Sequence, residues 1–440
     1  MASGYYVRLA AVLVVAAVLG IAIYKPEAGR GLIEGVAAAS EPRESLAEKS
    51  CPIGAAPLRA AFAPLDDVLS ISPLGGVTAP GEPLPAPFIR INTKSAGSVF
   101  ERRVTQALAP ARADIVAIER RVDRNTDGAA TGVSWTVRFK PCENVSVYYD
   151  RLDEIDDSLL ARAGGLAAFT ELGGPDHLAI ETRIRVREGE VLGKADGFDV
   201  GLYDLAAAPA TLARPERYDA NPYQHAEVLG APPSLLKAIV PDIARARCAI
   251  DYLPKDLAPV WSAKLGDVWG MRSAKGDNAC RSALADTPGA AQGAWFTDAS
   301  HNALTNKVSA IALAPDAIDP ERLIFALHGR LRSLTPDMVA LAPMLEAERK
   351  KAAQDFLTFE RGAGRINLSF EKARKGEVYC YQNLRANFVG PKINGVLLMQ
   401  LSEAANGAAL MKLEARSDVM SCIDLEEPWS FSGNETTFYR

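Results

Sequence analysis

Four histidines, His177, His225, His301 and His328, are all the imidazole that this 440-residue chain holds. None falls in an H-x-H or H-E-x-x-H spacing, so the two-histidine zinc arrangement lacks its signature. His177 stands at a strand entrance in GGPDHLAIET, where a loop histidine making an ordinary hydrogen bond explains it better than a base or ligand does. DRNTDG offers oxygens at alternate positions, Asp123, Asn125 and Asp127, followed by Gly128 for a bend. That is the first half of a calcium loop. Its twelfth position is Ser134 instead of a bidentate glutamate, and strands flank it, so a polar hairpin tip fits better. There is no G-x-x-x-x-G-K-[ST], no G-x-G-x-x-G and no G-x-S-x-G. A Ser/His/Asp site assembled by the fold stays open, because such triads are defined by geometry.

The six cysteines carry a different chemistry. Cys51, Cys142, Cys248, Cys280, Cys380 and Cys422 are widely spaced, and none forms C-x-x-C. Arg8 precedes an apolar run, Leu9 to Tyr24, which has the form of a signal peptide or an uncleaved signal anchor. An even cysteine count in an exported chain implies disulfides. The sequence-neighbour pairs Cys51–Cys142, Cys248–Cys280 and Cys380–Cys422 are expected, since each would staple one region. No Leu-x-Gly-Cys box accompanies the apolar run, which argues against a lipoprotein anchor. The net charge of −5, with both signs mixed, gives no basic footprint for nucleic acid.

These residues need elements to position them. With 48% hydrophobic and 23% charged residues, the chain can bury cores. From 66 to 205 the pattern has mostly period two. Val133, Trp135, Val137 and Phe139 alternate with polar residues, a turn follows at 141–144, and Val145, Val147 and Tyr149 alternate in turn. That predicts a β-hairpin. Leu178, Ile180, Thr182, Ile184 and Val186 share one face of a further strand. Arg183, Arg185 and Arg187 line the other, as a solvated face partly neutralised by Glu181 and Glu188, or as a surface for an acidic polymer or lipid head group. Residues 205–245 read as an Ala/Pro-rich linker with a short helix. Farther on, Thr335, Pro336 and MLEAERKKAAQDFL predict a helix. Strand pairs follow: INLSF, EVYCY, GVLLMQL, and AALMKLEA across Asn406-Gly407. Trp269 and Trp295 are candidates for buried core or for a glycan platform.

Four pieces carry a resemblance: ISPLGGVTAPGEPLPAPFIRIN (71–92), APARADIVAIERRV (109–122), VSVYYDRLDEI (145–155) and VREGEVLGKADGFDVGLYDL (186–205). In order and spacing they are similar to the M23 (lysostaphin or LytM-like) metallopeptidase domain, over about a third of the chain. In that family a zinc ion is held by two histidines and an aspartate, and a further histidine serves as base. Carried onto this sequence, the first histidine position holds Phe88 and the aspartate position lies near Asn92. The Gly-His-Leu histidine becomes Asp150, and the His-x-His strand holds Asp199 and Gly201. Phenylalanine and glycine offer no ligand, and two carboxylates poorly replace a three-ligand zinc set.

The expected fold is mainly β. A signal or anchor helix (1–30) and a spacer (31–60) lead to an M23/LytM-like β-sandwich-type domain (61–207). A linker with a short helix (208–246) joins it to a disulfide-stapled β-rich domain with one helix (247–440). The resemblance implies an exported, non-catalytic envelope protein that binds peptidoglycan or a partner protein, without a metal or other cofactor and without nucleic acid. It would be tethered to the membrane if the apolar helix is retained. An active hydrolase, through a differently placed ligand set or a site in the C-terminal domain, is the alternative, and a purely structural envelope protein is the third reading.

Overall fold

A computed structural model describes residues 45–52, 56–76, 86–97, 101–124, 128–214, 232–239, 243–276, 279–280, 286–299, 310–328, 355–386 and 392–440. The apolar run 9–24 lies outside them. Among the described residues no helix is long and apolar enough to cross a membrane.

Period-two alternation over 66–205 becomes eleven strands, and a twelfth short strand joins them from farther along the chain. They are β1 (Val68–Ser72), β2 (Ile89–Thr93), β3 (Thr105–Leu108), β4 (Ala113–Arg124), β5 (Ala130–Cys142), β6 (Val145–Leu152), β7 (Glu154–Ile155), β8 (Thr170–Glu171), β9 (His177–Val186), β10 (Val191–Ala195), β11 (Gly197–Asp204) and β12 (Ala246–Arg247). Short helices α1 (Asp157–Arg162), α2 (Pro233–Ile239) and α3 (Ala258–Ser262) accompany them. The main sheet runs β1-β2-β11-β6-β5-β4-β9-β8, with β12 against β11, and every pairing is antiparallel. A small sheet runs β3-β10-β7.

The predicted hairpin is β5–β6, joined through Glu143 and Asn144. Its apolar positions build the core: Phe139 meets Tyr149 edge-on at 5.3 Å, and Tyr149 meets Phe198 at 5.1 Å. The Tyr149 hydroxyl donates to the Leu108 carbonyl at 2.7 Å, tying the large sheet to the small one and satisfying a buried polar group. In β9, Ile180, Ile184 and Val186 pack on this core as the alternation predicts. The disulfide Cys51–Cys142 fastens the N-terminal segment to the far end of β5.

Two expectations change here. Residues 246–276 and 279–280 pack with the first core, whereas the C-terminal unit is expected from 247. Trp261 is buried against Phe62 at 4.9 Å, and Cys248–Cys280 closes the segment. Backbone bonds Ile71 N to Lys264 O (2.8 Å) and Gly266 N to Ile71 O (2.9 Å) lay it beside β1. The segment expected as a linker also packs: Leu235 and Ile239 of α2 cover Ala117 and Ala179 on the second face of the sheet.

The C-terminal unit contains β13 (Gly293–Phe296), β14 (Ala310–Pro315), β15 (Arg322–His328), β16 (Asp355–Glu360), β17 (Val378–Tyr381), β18 (Arg385–Ala386), β19 (Val396–Glu403), β20 (Ala409–Arg416) and β21 (Thr436–Tyr439). Their order is β17-β19-β20-β21-β13-β14-β15-β16-β18. After β16 the chain returns to β17 through Asn367 N to Cys380 O (2.9 Å) and Cys380 N to Arg365 O (3.0 Å). With β18 an outlier of two residues, the other eight strands form a nearly closed barrel around an apolar interior. Asn406-Gly407 turns β19 into β20, with Gly407 at φ 83°, a conformation that glycine adopts without strain.

The helix expected after Thr335 lies mostly outside the described residues, but its last residues, Asp355 to Leu357, are strand. Leu357 and Phe359 alternate into the barrel beside β15, so tertiary pairing sets a period of two there. INLSF forms no regular strand and contributes only a bridge at Ile366. The third disulfide, Cys380–Cys422, covers the outside of β17.

The Tyr381 hydroxyl is buried among Phe325, Phe359 and Phe370 with no hydrogen-bond partner among the described residues. Burial pushes this phenol well above its usual range. Tyr381→Phe removes an unsatisfied group at nearly constant shape. It should leave stability unchanged or raise it by about 1 kcal/mol, read by denaturant titration. A loss of similar size would show that the hydroxyl has a partner.

Candidate functional site

The second face of the main sheet carries charge where a half-buried sheet usually carries exposed polar residues. Asp199 on β11 stands directly opposite Arg90 on β2 and Asp150 on β6. Arg90 forks onto Asp199, Nε to Oδ1 at 2.6 Å and Nη2 to Oδ2 at 2.9 Å. Burial still pushes the Asp199 carboxyl above its ordinary value. Asp150 pairs with Arg121 and accepts from Thr136 Oγ1 at 2.5 Å. Burial works to raise Asp150, but Arg121 and the Thr136 hydroxyl outweigh it, so this carboxyl sits below its usual range. Farther across, Glu119 on β4 pairs with Arg138 Nε at 2.9 Å and His177 Nε2 at 3.2 Å. Burial opposes its charge, yet Arg138, His177 and Arg121 hold it down to about 2.

The five positions assigned by resemblance therefore lie on or beside β2, β6 and β11, where Asp150 and Asp199 each hold an arginine. Asn92 is buried, its amide donating to Ser70 Oγ at 3.2 Å and Ser72 Oγ at 3.1 Å. Gly201 lies beneath the Tyr148 ring, where an added Cβ would stand 1.9 Å from Cε1. Phe88 lies 5.5 Å from the Arg90 guanidinium. Asp199 and Asp150 are thus engaged by Arg90 and Arg121, Tyr148 covers Gly201, and Arg90 and Asn92 face the open cleft. Among the described residues no three His, Cys, Asp or Glu side chains converge as a metal set.

Other candidates separate. Asp123 accepts from Ser134 Oγ at 3.3 Å, while Asn125 and Asp127 lie outside the described residues. His225 and His301 do too. His177 serves the buried Glu119. The arginine row is neutralised from elsewhere than expected: Arg183 by Glu48 at 2.9 Å and Arg185 by Asp114, both reached through chain folding rather than through Glu181 or Glu188. Trp295 is core, its indole N–H donating to Ala291 O at 2.7 Å. Trp269 is not core, being 52% exposed.

An open polar cleft of about 390 Å³ lies beside the positions assigned by resemblance, at the end of the sheet where β5 and β11 begin and β4 and β6 end. The loop 266–273 forms one wall, held by Asp267 N to Arg272 O at 2.9 Å and by Ser70 Oγ to Asp267 O at 2.6 Å. Arg102 lines this wall. It donates to Thr93 O at 2.9 Å and Val268 O at 3.1 Å, and its guanidinium lies 5.0 Å over the Trp269 ring. No carboxylate pairs with it among the described residues. Across the cleft, Arg151 has φ 64°. A side chain in that region strains the backbone by about 1–2 kcal/mol. Arg151 makes no side-chain hydrogen bond among the described residues, and its charge acts on Asp199 and Asp153. Asp153 accepts from Asp196 N at 2.9 Å, and burial, with Asp196 nearby, raises its carboxyl.

Arg102 and Arg151 carried no sequence signal, since nothing in ERRV or YYDRLDEI marks a positive φ or a cleft wall. No family model, curated protein or solved structure matches this chain. Fold and site define a mainly β protein with three disulfides and a polar cleft at one end of its first sheet.

Proposed function

We propose that this chain is a non-catalytic envelope protein that binds peptidoglycan through the cleft between Arg102 and Arg151, its N-terminal unit being a degenerate M23/LytM-like domain. The observation that carries the reading is the division of labour on one sheet. Asp150 and Asp199, at the positions of lost ligands, are tied to arginines, while the open cleft beside them is lined by Arg102 and Arg151, which form no side-chain ion pair with a carboxylate among the described residues, together with Asp123, Asp153 and Asp196. The four resembling pieces supply β1 and β2, β4, β6, and β10 and β11, with β2, β11 and β6 side by side. Three disulfides point to an oxidising, extracytoplasmic location.

The orientation supports a wall ligand over a lipid surface. Cys51–Cys142 fixes the N-terminal segment at the end of β5, and the cleft touches Thr131 to Ser134 at its beginning. Along this strand of 13 residues, Thr131 to Ser134 lie roughly 30 Å from Cys142. A chain tethered by its N-terminal apolar run would hold the cleft away from the membrane. The size and polarity of the cleft suit a small polar group better than a protein interface, which needs a broad surface.

Purified full-length chain should co-sediment with peptidoglycan sacculi, and Arg102→Ala should reduce the retained fraction while keeping the native circular dichroism spectrum. Native chain left in the supernatant contradicts the reading.

A further inference from the structure

We propose that the cleft is a subsite for an anionic saccharide, with Trp269 as the stacking face and Arg102 and Arg151 as the carboxylate partners. This rests on the wall-binding reading and names which part of the wall is held.

Sugar rings present two surfaces, an apolar C–H face and a rim of hydroxyls that both donate and accept. Trp269 is half exposed, follows Val268 in the chain and touches Arg102, and both of those residues line the cleft. Arg102 braces the ring from 5.0 Å and is itself held by the Thr93 and Val268 carbonyls. The indole is therefore a braced platform rather than a loose side chain, which lowers the ordering cost of binding. Asp123, Asp153 and Asp196 also line the cleft and supply acceptors for hydroxyls. The strained φ of Arg151, 64°, lies in a strand where β6 leaves its partner β11. A residue that glycine would replace without strain keeps a long cationic side chain in the lining of the cleft. Arginine meets a carboxylate through a planar fork, so a sugar acid suits this site better than a neutral sugar. On the wall this chemistry belongs to glycan strands freed of their stem peptides, which expose a carboxylate on every second sugar.

Three probes test this on the full-length chain by calorimetry: peptide-free glycan strands, neutral N-acetylglucosamine oligomers and oligouronates. The stripped strands should bind at least tenfold more tightly than the neutral oligomers, as expected for one charge-assisted pair. Trp269→Ala should weaken binding by roughly tenfold. Arg151→Gly should weaken it similarly while raising the melting temperature, because glycine relieves the backbone. That opposite movement separates binding from folding. Tighter binding of oligouronates would keep the saccharide assignment and move the source away from the wall. Retention on sacculi that free stem peptides compete away, with stripped strands not bound, would overturn the saccharide inference and leave wall binding standing. Binding of stripped strands without retention on sacculi would do the reverse.

Discussion

Glu119→Gln should destabilise the chain by about 3 kcal/mol at neutral pH, and it should flatten the loss of stability in acid. Glu119 is held at about 2 from a reference of 4.5, and its side chain is 2% exposed. At about 1.4 kcal/mol per unit, that difference corresponds to roughly 3 kcal/mol. The folded value lies below the unfolded one. The contribution is therefore complete above about pH 4.5 and is lost as pH falls toward 2. Glutamine removes the charge and leaves Arg138, with only 13% of its side chain exposed, without its anion. Stranding one member of a buried pair costs about 3–5 kcal/mol. Urea titrations of both chains at neutral pH and at about pH 3 check this. Equal stability at neutral pH, or parallel acid profiles, would contradict the assignment.

Arg440→Ala should cost the C-terminal unit about 3–5 kcal/mol, the penalty for breaking a buried charge network. The Arg440 guanidinium is 3% exposed and donates to four carbonyls. Nη1 reaches Thr287 and Ala290, each at 3.0 Å, and Nη2 reaches Ala291 at 3.2 Å and Gln292 at 2.7 Å. It also lies 4.1 Å over Trp295 and 3.3 Å from Asp286. Alanine leaves these carbonyls and a buried carboxylate unserved. Arg440→Lys should recover little, because an ammonium cannot span four acceptors in fork geometry. Trp295 is fully buried in this unit, so its emission reports the transition. Full stability of the lysine variant would show that charge alone matters there.

Much of the scaffold was legible. Alternation over β4, β5, β6 and β9 reports strands with one face in a continuous core, and Asn406-Gly407 reports its hairpin. The cysteine pairs were legible because each joins neighbours along the chain. Long-range partners were not. Arg90 reaches Asp199 across 109 residues, and Arg185 reaches Asp114 across 71, so neither strand shows locally that its carboxylate is neutralised. The boundary at 247 failed for the same reason: composition changes there, while Trp261 and Cys248–Cys280 pull the next segment back into the first core. At β16 the helical propensity of Ala-Ala-Gln-Asp-Phe-Leu yields, at Asp355 to Leu357, to ladder pairing with β15. For the proposed cleft, the sequence offers Asp150 and Asp199 on neighbouring strands and Trp269 as a platform candidate, while the positive φ of Arg151 and the wall formed by Arg102 arise only from the fold.

The central claim is that arginines have taken the place of metal chemistry beside a cleft that binds. The most direct measurement is incubation of the full-length chain with peptidoglycan sacculi and added zinc, followed by analysis of soluble fragments in the supernatant. The account predicts protein in the pellet, no release of muropeptides above the protein-free control, and no change on Asp199→Asn. Zinc-dependent release of muropeptides that Asp150→Asn or Asp199→Asn abolishes would contradict it and restore a hydrolase.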